Sequence, residues 1–315
     1  MKLRAAPFYS EIAYGPDSGA AHWIDATDGC QIRFGHWPLA EATGTVLIFP
    51  GRTEFIEKYG QVAQNFAARG FASAAIDWRG QGLADRLLEN RLIGYVEQFS
   101  DYQKDVFAMV AAAQSLALPR PYFLLGHSMG GAIGLRALLN GIPVSAAAFS
   151  GPMWGIRIAP RLKPAAWILS RGMPRLGLGH HLPPGTKLDH HVLTDPFEGN
   201  LLTRDRRQFE IMGEQMRAYP DMALGGPSYV WLREALAETS ALARRKSPDL
   251  PCITFLGSNE RIVDIPPIQA RMERWPGGTL EIVENGEHEV LMESSDVTEP
   301  LFDKMAEVFS KTASR

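Results

Sequence analysis

Along the first half of the chain, short and almost uninterrupted apolar runs alternate with longer stretches of helical spacing. Thr45-Val46-Leu47-Ile48-Phe49 is apolar at every position after its threonine and stops at Pro50-Gly51. A run without polar alternation fits a strand covered on both faces, as in a parallel sheet. Helical spacing follows over 58–69 and ends at Gly70. Phe71-Ala72-Ser73-Ala74-Ala75-Ile76-Asp77 reads as the next buried strand and leads into the turn Arg79-Gly80-Gln81-Gly82. Residues 102–118 predict a long helix, closed by Pro119 and Pro121. Then come a short strand, Tyr122-Phe123-Leu124-Leu125, and a tight turn, Gly126-His127-Ser128-Met129-Gly130-Gly131. A helix over 132–139, ended by Gly141, and a strand over 144–149 complete the unit. Strands and helices in this alternation predict a mostly parallel sheet with crossover helices on both faces.

From 151 to 226 the rhythm is lost. This stretch is rich in Pro, Gly and Arg, and its apolar residues do not gather into strand runs. It is expected to be a mainly helical cap inserted into an α/β core made of 1–150 and 227–315. The rhythm returns with a helix over 229–244, a strand over 252–256, a helix over 268–275, a strand over 279–283 and a last helix over 298–311.

Composition narrows the class. The chain has 315 residues, 45% hydrophobic and 21% charged, enough for one large domain with an insertion. A formal charge of −3 gives no general attraction to nucleic acid, and no nucleic-acid partner is expected. Cys30 and Cys252 are far apart in sequence and form no C-x-x-C pair, which suggests neither a disulfide framework nor a zinc site. Near the N-terminus Glu11 and Asp17 interrupt any apolar core of a signal peptide, and no apolar stretch reaches the ~20 residues of a membrane span. A cytoplasmic protein is the resulting expectation.

The chemistry centres on Gly126-x-Ser128-x-Gly130. A strand before it and a helix after it are the context a nucleophile elbow requires: the turn is so sharp that side chains flanking the serine would strike neighbouring backbone. A glycine-rich strand-to-helix turn is the bland alternative. A serine hydroxyl needs a base, and on this architecture the chain order is serine, acid, histidine. Of the eight histidines, His288 alone follows the second-half strands, in Glu284-Asn285-Gly286-Glu287-His288-Glu289. His127, beside the serine, is expected to pack or shape the elbow. The loop after 252–256 offers two carboxylates, Glu260 and Asp264. Glu260 is favoured as the acid by its place within the loop, whereas Asp264 sits before Pro266 as a helix cap or turn residue. Two N–H donors must meet a developing oxyanion. Met129, directly after the serine, supplies one. Arg52 is the choice for the other, with Gly51 letting the backbone turn towards the substrate.

Phe49-Pro50-Gly51-Arg52-x-Glu54 with Lys58-Tyr59, Asp77-Trp78-Arg79-Gly80-Gln81-Gly82, Gly126-His127-Ser128-Met129-Gly130-Gly131, Gly257-Ser258-x-Glu260-Arg261-Ile262-Val263-Asp264 and His288-Glu289 together resemble the monoacylglycerol lipase and lysophospholipase L2 family of α/β-hydrolases. Leu202-Thr203-x-Asp205 and Leu224-Gly225-Gly226-Pro227-Ser228-x-x-Trp231-Leu232 resemble that family's insertion, so the likeness spans nearly the whole chain. It implies an acid at Glu260 and an oxyanion donor at Arg52. Two departures stand out: the usual His-Gly of the oxyanion loop is Pro50-Gly51 here, and many relatives carry Asp where this chain has Glu260.

The expected activity is hydrolysis of a carboxylic ester through an acyl-enzyme, on a lysophospholipid or monoacylglycerol, with no cofactor and no metal. A carboxylesterase for small soluble esters and a catalytically silent binding protein are the rival readings. Between 151 and 190, six basic residues stand against the single acidic Asp189, interleaved with Met153, Trp154, Trp167, Ile168 and Leu169. A basic, aromatic-bearing cap could rest on an anionic lipid surface, at the inner membrane face. A solvated cap that covers the site with its apolar face accounts for the hydrophobic residues equally well. The pairs His180-His181 and His190-His191 are taken as loop residues rather than metal ligands.

Overall fold

The computed structural model describes residues 2–313. Its strands are β1 (Arg4–Ala6), β2 (Ala20–Asp25), β3 (Gln31–Trp37), β4 (Thr45–Phe49), β5 (Ala72–Asp77), β6 (Tyr122–His127), β7 (Ala146–Ser150), β8 (Cys252–Gly257) and β9 (Gly278–Val283). They form one sheet in the order β1-β2-β3-β5-β4-β6-β7-β8-β9. From β5 to β9 every pairing is parallel; β1, β2 and β3 add antiparallel neighbours at the other edge. The mostly parallel α/β-hydrolase sheet is therefore present.

Every residue of β4, β5, β6, β7 and β8 is buried. Alternate residues serve opposite faces. Val46, Ile48, Phe123, Leu125, Ala148 and Phe255 pack with α2 (Gly60–Ala67) and α10 (Ser295–Ala313). Leu47, Phe49, Leu124, Ala147 and Phe149 pack with α3 (Tyr102–Ser115), α4 (Met129–Leu139), α8 (Tyr229–Ala243) and α9 (Ile265–Met272) on the other. Both faces are covered, which is why these strands show no polar alternation.

The N-terminal strands were not foreseen. In β3, Arg33 breaks an apolar pattern, yet it is fully buried: it donates to Asp77 at 2.7 Å and to Glu57 at 2.6 and 2.8 Å. Asp77 in turn accepts from the amides of Ile56 and Leu83. α9 begins three residues earlier than expected, because Pro266 and Pro267 fall in its first turn, where no amide donor is needed. α10 also starts three residues early, at Ser295.

The stretch 151–226 contains α5 (Lys163–Arg175), α6 (His191–Thr194) and α7 (Arg206–Ala218), with no strand among the described residues. A short helix, α1 (Ser10–Ala13), precedes β2. Chain direction sets the crevice. From β4 the chain moves to β5 on one side, then crosses back to β6 and continues through β7 to β9. The loops after β4 and β6 therefore diverge at a topological switch point, where a crevice opens at the carboxyl ends of the strands.

Phe309 of α10 stacks on Phe123 of β6 with ring centres 4.7 Å apart and also meets Phe66 and Phe71. It has no exposed surface. Phe309→Ala is expected to cost about 3–5 kcal/mol of unfolding free energy, measured as a lowered urea midpoint with unchanged slope.

Candidate active site

Ser128 stands between β6 and α4 with φ 49° and ψ −117°, a conformation that L-residues adopt rarely. Its flanking glycines make close approaches. A Cβ on Gly130 would lie 1.9 Å from the Phe49 carbonyl oxygen, and one on Gly126 would lie 3.0 Å from that of Gly130. The Ser128 amide donates to Ser150 of β7 at 3.1 Å. Met129 opens α4, so its amide belongs to the helix turn that lacks intrahelical acceptors.

His288 and Glu260 come from loops after β9 and β8. Glu260 Oε2 and His288 Nδ1 are 2.6 Å apart, while Glu260 Oε1 accepts from the amides of Ile262 and Val263 at 2.6 and 3.0 Å. Both side chains are buried. Burial raises the Glu260 carboxyl pKa, but His288 and the two amides outweigh it and leave it below its ordinary value. Of the two candidate carboxylates, then, Glu260 meets His288. Asp264 occupies the cap position of α9, but its side chain makes no capping bond and faces Lys163 Nζ at 3.6 Å. The cap hydrogen bond is absent because the residues whose amides would donate it, Pro266 and Pro267, carry no N–H. Gly151, with φ 48°, lies under the histidine: a Cβ there would be 3.1 Å from His288 Nδ1.

Arg52 lies on the loop after β4, and a set of buried groups holds that loop. Glu54 accepts from the Gly51 amide, from Tyr59 Oη at 2.6 Å and from Lys58 Nζ at 2.5 Å. Lys58 Nζ also donates to Glu289, the neighbour of His288. Burial opposes the charge of Glu54, but Lys58 and His127 hold its pKa low; the same two carboxylates hold the Lys58 pKa high against burial. From the other side Gln81 donates to the Gly51 carbonyl at 2.8 Å, and the Trp78 indole donates to Pro50 at 2.9 Å. That is the structural use of the Asp77-to-Gly82 motif. The left-handed residue in this loop is Thr53, with φ 70°, rather than Gly51. Gly51 is needed because a Cβ would sit 2.9 Å from Glu54 and 3.1 Å from His127.

His127 is buried, which lowers its pKa. Its Nδ1 lies 3.0 Å from the Ser150 carbonyl, an acceptor, so Nδ1 carries the proton. Glu54, His127 and Glu289 bring potential ligand atoms within 4.8 Å of one another, but Lys58 already supplies the positive charge between the two carboxylates. His190 was expected to be a loop residue. It does lie in a loop, just before α6, and from there also reaches the site, with Nδ1 accepting from the Val192 amide and Nε2 donating to Thr53 Oγ1 at 3.0 Å. His180 packs edge-on against Tyr95. The side chain of His191 lies outside the described residues.

These loops enclose a cavity of about 250 Å³. Ser128, Met129, Arg52 and His288 reach it, and its apolar wall includes Phe55, Met153, Leu202, Met212, Met216 and Ile262. Met212 and Met216 come from α7, which is anchored through Phe55. α5 and its flanking residues turn elsewhere: Leu162, Ile168 and Leu176 are more than half exposed, at 54%, 70% and 73%. The apolar residues at 162–176 therefore do not form the cavity roof that a simple cover would present.

The family model described as serine aminopeptidase, S33, matches residues 40–295. The lysophospholipase L2 of Escherichia coli (strain K12) is 33% identical over 247 residues, covering 75% of this chain and 69% of that protein. The chain belongs to this α/β-hydrolase family. A protein of Haemophilus influenzae named probable lysophospholipase L2 is 25% identical over 262 residues, 82% of each chain. Among solved structures, a soluble variant of monoglyceride lipase from Saccharomyces cerevisiae, in complex with a substrate analog, superposes with a TM-score of 0.71 at 20% identity, covering 92% of this chain and 94% of that one. The family is one of ester-cleaving serine hydrolases of the lysophospholipase and monoacylglycerol lipase kind. No helix among the described residues is long and apolar enough to cross a membrane.

Lys58→Met would strand two buried carboxylates without the cation they share. The expected cost is about 3–5 kcal/mol, read by urea unfolding at neutral pH. The deficit should narrow as pH falls, because the stranded carboxylates then take up protons.

Proposed function

We propose that this protein hydrolyses carboxylic esters of single-chain lipids, a lysophospholipid or monoacylglycerol, through an acyl-enzyme on Ser128. The observation that carries the reading is the buried 2.6 Å pair of His288 and Glu260 beside a serine held in a strained elbow at one apolar cavity. In the first half-reaction Ser128 Oγ attacks the carbonyl carbon while His288 Nε2 takes its proton. The Met129 and Arg52 amides receive the oxyanion. As the tetrahedral intermediate collapses, His288 gives the proton to the departing alcohol. Water then repeats the cycle on the acyl group. Glu260 keeps Nδ1 protonated and stabilises the imidazolium.

The family description names an aminopeptidase, but the cavity chemistry favours an ester. A peptide's free amine calls for an available carboxylate, and Glu54 and Glu289 are both bound by Lys58. The apolar wall suits an acyl chain. We further propose that α5 and the residues flanking it meet an anionic lipid surface: the outward Leu162, Ile168 and Leu176 lie among exposed Arg161, Arg171 and Arg175. The cap is accordingly read as residues 151–226, and the core as 1–150 with 227–315.

Ser128→Ala should abolish acyl-enzyme formation, leaving at most a residual acceleration of ~10³-fold over water. Glu260→Gln should lower kcat by up to ~10⁴-fold, while Asp264→Asn stays close to wild type. Fluorophosphonate labelling and steady-state rates on a long-chain monoacylglycerol measure both, and the opposite ranking of the two carboxylates would move the role to Asp264. For the cap, replacing Arg161, Arg171 and Arg175 together by Gln should lower the rate on anionic vesicles relative to a soluble short-chain ester. Each charge near such a surface contributes about 1 kcal/mol, and added salt should erase the difference. An unchanged ratio at low salt would sink the lipid-surface reading.

A further inference from the structure

The ionisable groups at the cavity differ in one respect. Glu54 and Glu289 share the single cation Lys58, and His288 is held by Glu260. Arg52 has no such partner: no carboxylate among the described residues forms an ion pair with it. Its guanidinium instead donates from Nη1 to the Gly225 carbonyl at 2.6 Å and lies 5.7 Å from the centre of the Trp231 ring. Burial lowers its pKa to about 10, so it stays charged at neutral pH. A half-buried cation without a counter-charge is costly for the empty protein.

The position of this charge is informative. The Arg52 backbone is on the loop that flanks Ser128, while its side chain leans to Gly225 and Trp231. The apolar group of Phe55, Leu202, Met212 and Met216 forms a separate cluster, in which Trp231 takes no part. A substrate with its ester carbonyl at Ser128 thus has an apolar wall for one arm and a guanidinium, one side chain away, for the other. In a lysophospholipid the phosphate stands a glycerol's length from the ester. A guanidinium fork matches phosphate oxygens in a bidentate pair.

We propose that the Arg52 guanidinium is the head-group site, binding the phosphate of a lysophospholipid whose acyl ester lies at Ser128. The proposal rests on the ester-hydrolase reading and deepens it: the preferred substrates carry a phosphate, and neutral monoacylglycerols are secondary.

The test compares lysophosphatidate with monoacylglycerol of the same acyl chain in neutral detergent micelles, for wild type, Arg52→Gln and Arg52→Lys. Wild type should prefer the phosphate-bearing substrate. Arg52→Gln should reduce the ratio of the two kcat/KM values by 10-fold or more, chiefly through KM, and Arg52→Lys should restore part of it. If Arg52 only tethers the loop to Gly225, both substrates lose equally and the ratio stays put, which overturns the proposal. A binding titration of lysophosphatidate onto the Ser128→Ala protein, with and without Arg52→Gln, reads the site without turnover. Binding weakened at least 10-fold by the second change is the expected result; equal binding overturns it. If wild type hydrolyses neither lipid, the ester-hydrolase reading falls and this titration decides Arg52 by itself. Inorganic phosphate serves as the last arm: competition as effective as that of the lipid would make the site one for a free anion and end the head-group assignment.

Discussion

The site depends on how closely the first turn of α4 can approach the end of β4. Gly130 sits so near the Phe49 carbonyl that a single methyl group there would overlap it at 1.9 Å. This approach brings the Met129 amide and the loop after β4 to opposite sides of one small volume. The topology explains why it happens here. β4 and β6 are neighbours, and the chain leaves them in opposite directions, so only loops fill the space above them. Two of the six described non-glycine residues with positive φ stand at the same place. Ser128 and Thr53, one on each loop, both take positive φ. Such conformations persist where the surroundings over-determine them. At Ser128 the surroundings are the β6–β7 ladder and α4; at Thr53 they are Gln81 and His190.

Interior charge is what fixes those surroundings. Arg33, Glu57 and Asp77 join β3 and β5 to the turn at 56–59, and Glu54, Lys58 and Glu289 join that same segment to the loop carrying His288. Buried ion pairs add little net stability compared with well-packed apolar residues, but removing one partner is expensive. Their directional bonds therefore set geometry more than stability. Lys58 connects segments 231 positions apart in sequence and couples the placement of His288 to that of the loop after β4.

Legibility in the sequence follows from the range of the interactions involved. Runs such as Val46-Leu47-Ile48-Phe49 record double-sided burial residue by residue, so the parallel strands could be read directly. The elbow was legible because its motif lies within five residues, Gly126 to Gly130, although the atoms that Gly130 must clear belong to Phe49 and Pro50. β3 was not, since Arg33 reads as a surface residue until Asp77 and Glu57 arrive from distant segments. The part played by Lys58 depends on Glu289 and could not be inferred locally. Asp264 holds the cap position its sequence suggests, but Pro266 and Pro267 leave no amide at the second and third helical positions for its carboxylate to accept from.

The two ends of the cavity differ in how firmly they are built, and this bears on selectivity. The apolar end is lined by Met153, Met212 and Met216, unbranched side chains that repack around different shapes at small cost. Two of them ride on α7, whose hold on the core runs largely through Phe55 and its neighbours. The polar end is rigid: Arg52 is tied to Gly225, and the segment beyond it is pinned by bonds from Gly94 to Gly226 and from Ser228 to Gly94. A cavity made in this way tolerates variation in an acyl chain, because each added methylene meets an adaptable wall. On the proposed head-group assignment it is strict about the group opposite, because a fixed guanidinium gains fully from a phosphate and remains uncompensated beside a neutral hydroxyl. Discrimination between lipid esters in this protein is therefore expected to lie in the head group rather than in the length of the chain.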